Sequence, residues 1–235
     1  MEQLAGQRVV VWGDSLAKGV TWNEARKRHA YSKTTAVDIA ANKLGIEILN
    51  RSKFGCTAPQ GMEIMERDLS EGLVCDTAVI EFGGNDCNFD WAAVSEHPEE
   101  KHLPATPPEE YLESMRAIVR WLFAQNIRPV LMTLPPIDAD RYFRFLVGTK
   151  LNPKHILNWL GDVQQIYRYQ EMYSLIVEKV AREFSIQLID LRQRCLESRG
   201  FVKKMICADG LHLTEEGQQF IGDAIVDLVI KENIK

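Results

Sequence analysis

The sequence predicts an α/β fold: one parallel five-stranded sheet with helices on both faces. Three observations lead there. Stretches that read as strands alternate with helical stretches five times along the chain. The first strand stretch, Val9–Trp12, is apolar without the in–out alternation of a half-exposed strand, as a strand covered on both faces must be. With 235 residues, 46% of them hydrophobic and 26% charged, the chain has the composition of a soluble globular protein and the length of one large domain.

The elements follow in order. Residues 9–12 form the first strand, which stops at Gly13-Asp14-Ser15. Residues 34–44 read as a helix closed by Gly45, and 46–50 as the second strand. A short helix over 61–69 leads to the third strand, 77–82, which ends at Gly83-Gly84. Pro107 and Pro108 open a helix whose first turn carries Glu109 and Glu110, where the helix dipole favours anions. Tyr111, Met115, Ile118 and Leu122 share one face of it. The fourth strand, 129–134, is stopped by Pro135-Pro136. Val163, Ile166, Tyr173, Ile176, Val180 and Phe184 lie along one stripe of a long helix, and 186–191 is the fifth strand. Thr214 caps the last helix, Glu215 to about Ile230. The whole chain, 1–235, reads as one domain. Two long segments, at about 87–106 and 137–160, read as walls or a lid over a site.

Composition excludes several functions. A net charge of −5 gives no basic footprint for nucleic acid, and the cluster Arg26-Lys27-Arg28-His29 reads as a solvated surface. The N-terminal residues lack the pattern of a signal peptide, and no apolar stretch approaches the ~20 residues of a membrane span. Five scattered cysteines (Cys56, Cys75, Cys87, Cys195, Cys207) form no CxxC pair. They read as reduced thiols in a cytoplasmic protein rather than disulfides or a zinc site. His29, His97, His102 and His155 lack metal-ligand spacing and read as surface histidines.

Four blocks carry chemistry: Gly13-Asp14-Ser15 after the first strand, Gly55 after the second, Gly83-Gly84-Asn85-Asp86 after the third, and Asp209-Gly210-Leu211-His212 before the last helix. The first three follow strand carboxyl ends, the edge where open α/β sheets bind ligands. A serine nucleophile needs an imidazole base within hydrogen-bond reach, a carboxylate to orient that imidazole, and preorganised donors for the oxyanion. Ser15, His212 and Asp209 can fill the first three roles, and one tight turn at Gly210 can fold the carboxylate back onto the imidazole. The backbone N–H groups of Ser15 and Gly55 and the Asn85 amide can serve as oxyanion donors. Each block taken singly has a plainer reading. Ser15 can cap a helix, the glycine-rich blocks can be turns, and His212 can be a surface histidine. Asp14 and Asp86 read as loop-ordering carboxylates, and Cys56 as a small packed thiol.

Ser15, Gly55, Asn85 and His212, in that order and with an Asp-x-x-His loop, resemble the GDSL, or SGNH, hydrolases over nearly the whole chain from Arg8 to Gly217. The resemblance implies a three-layer α/β/α sandwich of flavodoxin-like topology and ester or thioester hydrolysis. It implies Ser15, Asp209 and His212 as catalytic residues and Ser15, Gly55 and Asn85 as oxyanion donors, with no metal and no organic cofactor. The expected partner is a small-molecule ester, with a short acyl group on a carbohydrate or small alcohol. Neither nucleic acid nor a membrane is expected, and a homo-oligomer is compatible with the sequence. The alternatives are a lysophospholipase, a thioesterase or an acyltransferase of the same family, and a non-catalytic module that binds a small ligand at the same edge.

Overall fold

Strand β1 (Val9–Gly13) is buried at every residue and is paired in parallel along both edges. Such a strand must be central, because its backbone groups then have partners on either side. A computed structural model describes residues 6–148 and 150–231. The first five residues, part of the 1–15 stretch from which the absence of a signal peptide is read, lie outside them, as do residue 149 and the chain beyond 231. β1 lies between β4 (Ile48–Asn50) and β5 (Thr77–Glu81); beyond β5 come β6 (Arg128–Met132) and β7 (Gln187–Ile189). All four pairings are parallel. Counting only these five strands along the chain, the order is 2-1-3-4-5, the flavodoxin-like arrangement.

The period-two alternation of strand side chains divides the core into two layers. Val9, Val11, Val79, Val130, Met132 and Ile189 face α1 (Ala36–Leu44), α8 (Leu191–Glu197) and α9 (Glu215–Lys231). Val10, Trp12, Ala78, Ile80 and Leu131 face α2 (Ala58–Ser70), α4 (Pro108–Ala124) and α7 (Gln165–Phe184). Two buried tyrosines of that second layer have hydroxyl partners, as buried phenols require: Tyr111 donates to the Phe82 carbonyl at 2.7 Å and Tyr173 to the Thr106 carbonyl at 2.5 Å.

The strands and long helices lie where the sequence places them, with trimmed ends. β4 begins two residues late because the Ile46 N–H still bonds back to Ala41 at the exit of α1. β7 stops at Ile189 because Asp190 caps α8. α2 begins at Ala58 rather than at Gly61, with the Gln60 side chain accepting the Thr57 N–H at its start. Thr214 does cap α9: its Oγ1 accepts the Gly217 N–H.

Other features depart from the sequence reading. No helix follows β1 directly, so Ser15 caps none. The chain turns from Asp14 to Gly19 and enters a hairpin, β2 (Val20–Asn23) and β3 (Arg28–Tyr31). The two long segments are not loops. They contain α3 (Trp91–Glu96), α5 (Ala139–Val147) and α6 (Pro153–Leu160), capped by Asp90, Asp138 and Asn152. Phe89, Trp91, Val94, Tyr142, Leu146, Ile156 and Leu160 form a third apolar cluster beyond the sheet edge. These helices run only 6–9 residues, too short for a 3.6-residue period to stand out.

The α1–α9 contact decides the sign of one substitution. A methyl group at Gly222 would stand 2.6 Å from Ile39 Cγ2, 2.7 Å from Ile39 Cβ and 3.0 Å from the Ala36 carbonyl. Gly→Ala in a helix normally gains about 1 kcal/mol, whereas overpacking a core costs about 1–3 kcal/mol. Ile39 is β-branched and Ala36 contributes backbone, so neither yields cheaply. Gly222→Ala is therefore expected to lower stability by about 1–2 kcal/mol in urea denaturation.

Candidate active site

The neighbour order β4-β1-β5 brings three strand ends together. Asp14-Ser15 leaves β1, Lys53–Cys56 follows β4, and Gly83–Asp86 follows β5. The fourth block arrives from the loop before α9.

Ser15 Oγ lies 3.0 Å from His212 Nε2, and His212 Nδ1 lies 2.6 Å from Asp209 Oδ2. All three residues are buried. The other Asp209 oxygen accepts the N–H groups of Leu211 and His212, each at 3.1 Å. Burial works to raise the Asp209 pKa, but the hydrogen bond and charge of His212, with the two N–H donors, outweigh it and hold the carboxyl below its usual range. An ionised carboxylate on Nδ1 keeps the proton on that nitrogen, which leaves Nε2 as an acceptor facing the serine. Gly210 makes the turn possible. Its φ is +81°, and a Cβ there would stand 2.3 Å from the Tyr142 nitrogen. The Asp138 N–H donates to the Gly210 carbonyl at 2.9 Å, so the loop lies directly against α5.

The Ser15 turn is held from below. Asp14 Oδ1 accepts the Leu16 N–H at 2.8 Å, while Asp14 Oδ2 accepts the Asn85 amide at 3.1 Å. The same amide donates to the Cys56 carbonyl at 3.1 Å, which ties the ends of β1, β4 and β5 through one side chain. Asp86 Oδ1 accepts the Ala58 N–H at the start of α2. Burial pushes Asp14 and Asp86 each up to about 6, and carries Glu81, beneath the Asp14 N–H, well above its ordinary value. Cys56 is a packed thiol, pushed up to about 11 by burial and so a poor nucleophile at neutral pH.

A cavity of about 240 Å³ opens over Ser15 and His212. Asn85 lines it, as do Phe54, Phe89, Trp91, Tyr142, Phe145, Ile166, Tyr169 and Leu211. Ser15, Asn85, Asp209 and His212 are thus brought together. Gly55 is not among the lining residues: it is exposed, with a φ of +77°, between Phe54 and Cys56. Sequence reasoning misses Asn88, whose Oδ1 accepts from Trp91 Nε1 at 2.8 Å and from the Tyr142 hydroxyl at 3.0 Å, fixing two walls at once. Its position three residues after Asn85 is the only sequence signal for it. His29, read as a plain surface residue, stands in ring contact with His212, with centroids 4.9 Å apart.

Fold and site together define an ester hydrolase built on an α/β/α sandwich. The chain belongs to the GDSL-like lipase/acylhydrolase family, whose model matches residues 11–220. It is a carboxylic ester hydrolase of the GDSL type. It is similar to an isoamyl acetate-hydrolyzing esterase 1 homolog of Bos taurus, 24% identical over 237 residues, 97% of this chain and 84% of that one. The lipase/acylhydrolase of Enterococcus faecalis shares its fold with a TM-score of 0.65 at 18% identity, over 96% of each chain. The acetyl xylan esterase AlAXEase does so with a TM-score of 0.63 at 21% identity, over 94% of this chain and 99% of that one.

The buried carboxylates have a consequence for stability. Asp86 has a folded pKa of about 6, above the roughly 3.9 of an unfolded Asp, so the folded state holds the proton more tightly. Its contribution is full below pH 4 and is lost as pH rises toward 6. Asp86→Asn keeps an oxygen for the Ala58 N–H and removes the titration. Relative to wild type, the variant is expected to gain about 1–3 kcal/mol between pH 4 and 7 in urea denaturation. An unchanged difference across that range would contradict this.

Proposed function

We propose that the protein hydrolyses small esters, with a short acyl group on a small, largely apolar alcohol, through an acyl-enzyme on Ser15. The observation that carries this reading is the unbroken chain Ser15–His212–Asp209 opening on a small aromatic-walled cavity. Ser15 Oγ attacks the ester carbonyl as His212 Nε2 takes its proton. Asp209 steadies the imidazolium without itself being protonated. The oxyanion takes the Ser15 N–H and the Asn85 amide, whose hydrogen now on the Cys56 carbonyl is shared with the new acceptor. His212 then gives its proton to the leaving alkoxide. Water, deprotonated by the same base, releases the acid and restores Ser15.

The cavity size favours short esters over lysophospholipids and long acyl thioesters, since about 240 Å³ falls below the ~300–1,000 Å³ usual for drug-sized ligands. Its predominantly aromatic and aliphatic walls favour a small, largely apolar alcohol over a carbohydrate. The name of the bovine relative, an isoamyl acetate esterase homolog, agrees with that choice.

The test is hydrolysis of p-nitrophenyl esters from acetate to decanoate. Wild type is expected to prefer acetate to butyrate, with rates falling along the series. Ser15→Ala should lose on the order of 10⁴-fold or more in kcat, and Asn85→Ala about 10²–10³-fold. Retained turnover in Ser15→Ala would refute the acyl-enzyme, and a decanoate preference would refute the substrate class.

A further inference from the structure

The β2–β3 register sets Trp22 opposite His29, and the hairpin holds the His29 ring over the back of the triad. His29 Nε2 is 3.9 Å from Asp209 Oδ2, the oxygen that also bonds His212 Nδ1. Trp22 and Phe54 each touch the His29 ring, with centroids 5.1 Å away. Among the described residues, His29, Asp209 and His212 are the one group of three His, Cys, Asp or Glu side chains whose ligand atoms all lie within 4.8 Å of one another. The hydrolytic cycle proposed above uses only two of the three.

We propose that His29, Asp209 and His212 form a binding site for Zn²⁺, and that the bound ion switches the triad off. Two imidazole nitrogens and one carboxylate oxygen are a donor set that suits zinc and does not suit Mg²⁺ or Ca²⁺, which prefer all-oxygen shells. Tetrahedral zinc with bonds of about 2.0–2.2 Å spaces its ligands by roughly 3.3–3.6 Å. The 2.6 Å His212–Asp209 contact must therefore open and the 3.9 Å His29–Asp209 gap must close. The moving partner is available: the His29 side chain is 39% exposed, on a hairpin of only two strands. Its exposed face also gives zinc an entry route, and water completes the fourth position.

The switch follows from proton placement. In the hydrogen-bonded triad the single proton of neutral His212 is on Nδ1, and the Nε2 lone pair faces Ser15. Zinc takes the Nδ1 lone pair, so that proton moves to Nε2. His212 stays neutral with one proton, Asp209 stays ionised, and zinc stays divalent. Nε2 is now an N–H donor and cannot accept the serine proton, so the general base is lost while the serine itself is untouched. Removal of zinc restores the original tautomer.

The inhibitory half of this proposal rests on the serine hydrolase reading; the binding half does not, and the experiment separates them. Chelator-treated Ser15→Ala, which has no turnover, is titrated with ZnCl₂ in a calorimeter, in parallel with Ser15→Ala/His29→Gln. One zinc per chain is expected in the first, with affinity at least about tenfold weaker in the second, as for loss of a metal-supporting side chain. MgCl₂ is expected to give no heat of binding. Ester hydrolysis is then followed against zinc for wild type and His29→Gln, each relative to its own metal-free rate. Wild type is expected to be inhibited over the range in which zinc binds, to recover fully with EDTA, and to need about tenfold less zinc than His29→Gln. Absence of zinc binding, or binding indifferent to His29→Gln, would overturn the site. Binding that depends on His29 but leaves an active wild type uninhibited would overturn the switch. A wild type without esterase activity would strike the proposed function and leave the calorimetric result standing.

Discussion

The Asp209 carboxylate is a full charge with only 1% of its surface exposed. Several kcal/mol of desolvation would force such a group to protonate if its oxygens lacked partners. One oxygen is engaged by His212 Nδ1 and the other by two successive backbone N–H groups, so the charge is held and the pKa falls. The surrounding architecture serves to keep that arrangement in place. Gly210 supplies the positive φ, and α5 seals the loop from one side. Arg141, paired with Asp138, donates to the carbonyls of Val202, Lys203 and Ile206, pinning the π-helical turn Phe201–Met205 that leads into the loop. The inserted helices therefore both wall the cavity and brace the Asp209–His212 loop.

The Ser15 side obeys a related constraint. Asp14, Glu81 and Asp86 crowd the ends of β1 and β5, and three carboxyl groups so close and so buried cannot all be charged without cost. Burial and the neighbouring Asp14 charge carry Glu81, beneath the serine turn, well above its ordinary value, while Asp14, at about 6, is largely ionised and accepts from Leu16 and Asn85. Asn85 is held between Asp14 and the Cys56 carbonyl, so its position follows from the sheet order that makes β4 and β5 the two neighbours of β1.

What could be read from the sequence divides along physical lines. The first strand was legible because burial on both faces demands an unbroken apolar run, Val9-Val10-Val11-Trp12, and the other four because each short apolar stretch lies between helical stretches. Ser15, Asn85, Asp209 and His212 were legible because each residue type fits one role in acyl transfer and each block sits at a turn beside the sheet. The plainer reading of Ser15 as a helix cap failed because the chain turns into a hairpin instead. α3, α5 and α6 were missed because six to nine residues give too few turns for a period, although Asp90, Asp138 and Asn152 stood as caps. His29 could not be found at all: its place beside Asp209 comes from the hairpin register and a contact 180 residues away in sequence, and no local pattern encodes that. Gly55 was located by its position after a strand, and its place outside the cavity lining was not visible in that position.

The central claim is that His212, oriented by Asp209, makes Ser15 a nucleophile. The most direct measurement is labelling with an alkyl fluorophosphonate, which phosphonylates an activated serine with loss of fluoride, followed by mass-spectrometric mapping of the adduct in wild type and His212→Ala. A single adduct on Ser15, formed rapidly in wild type and lost in His212→Ala, is the expected result. An adduct elsewhere, or one on Ser15 that forms at the same rate without His212, would contradict it.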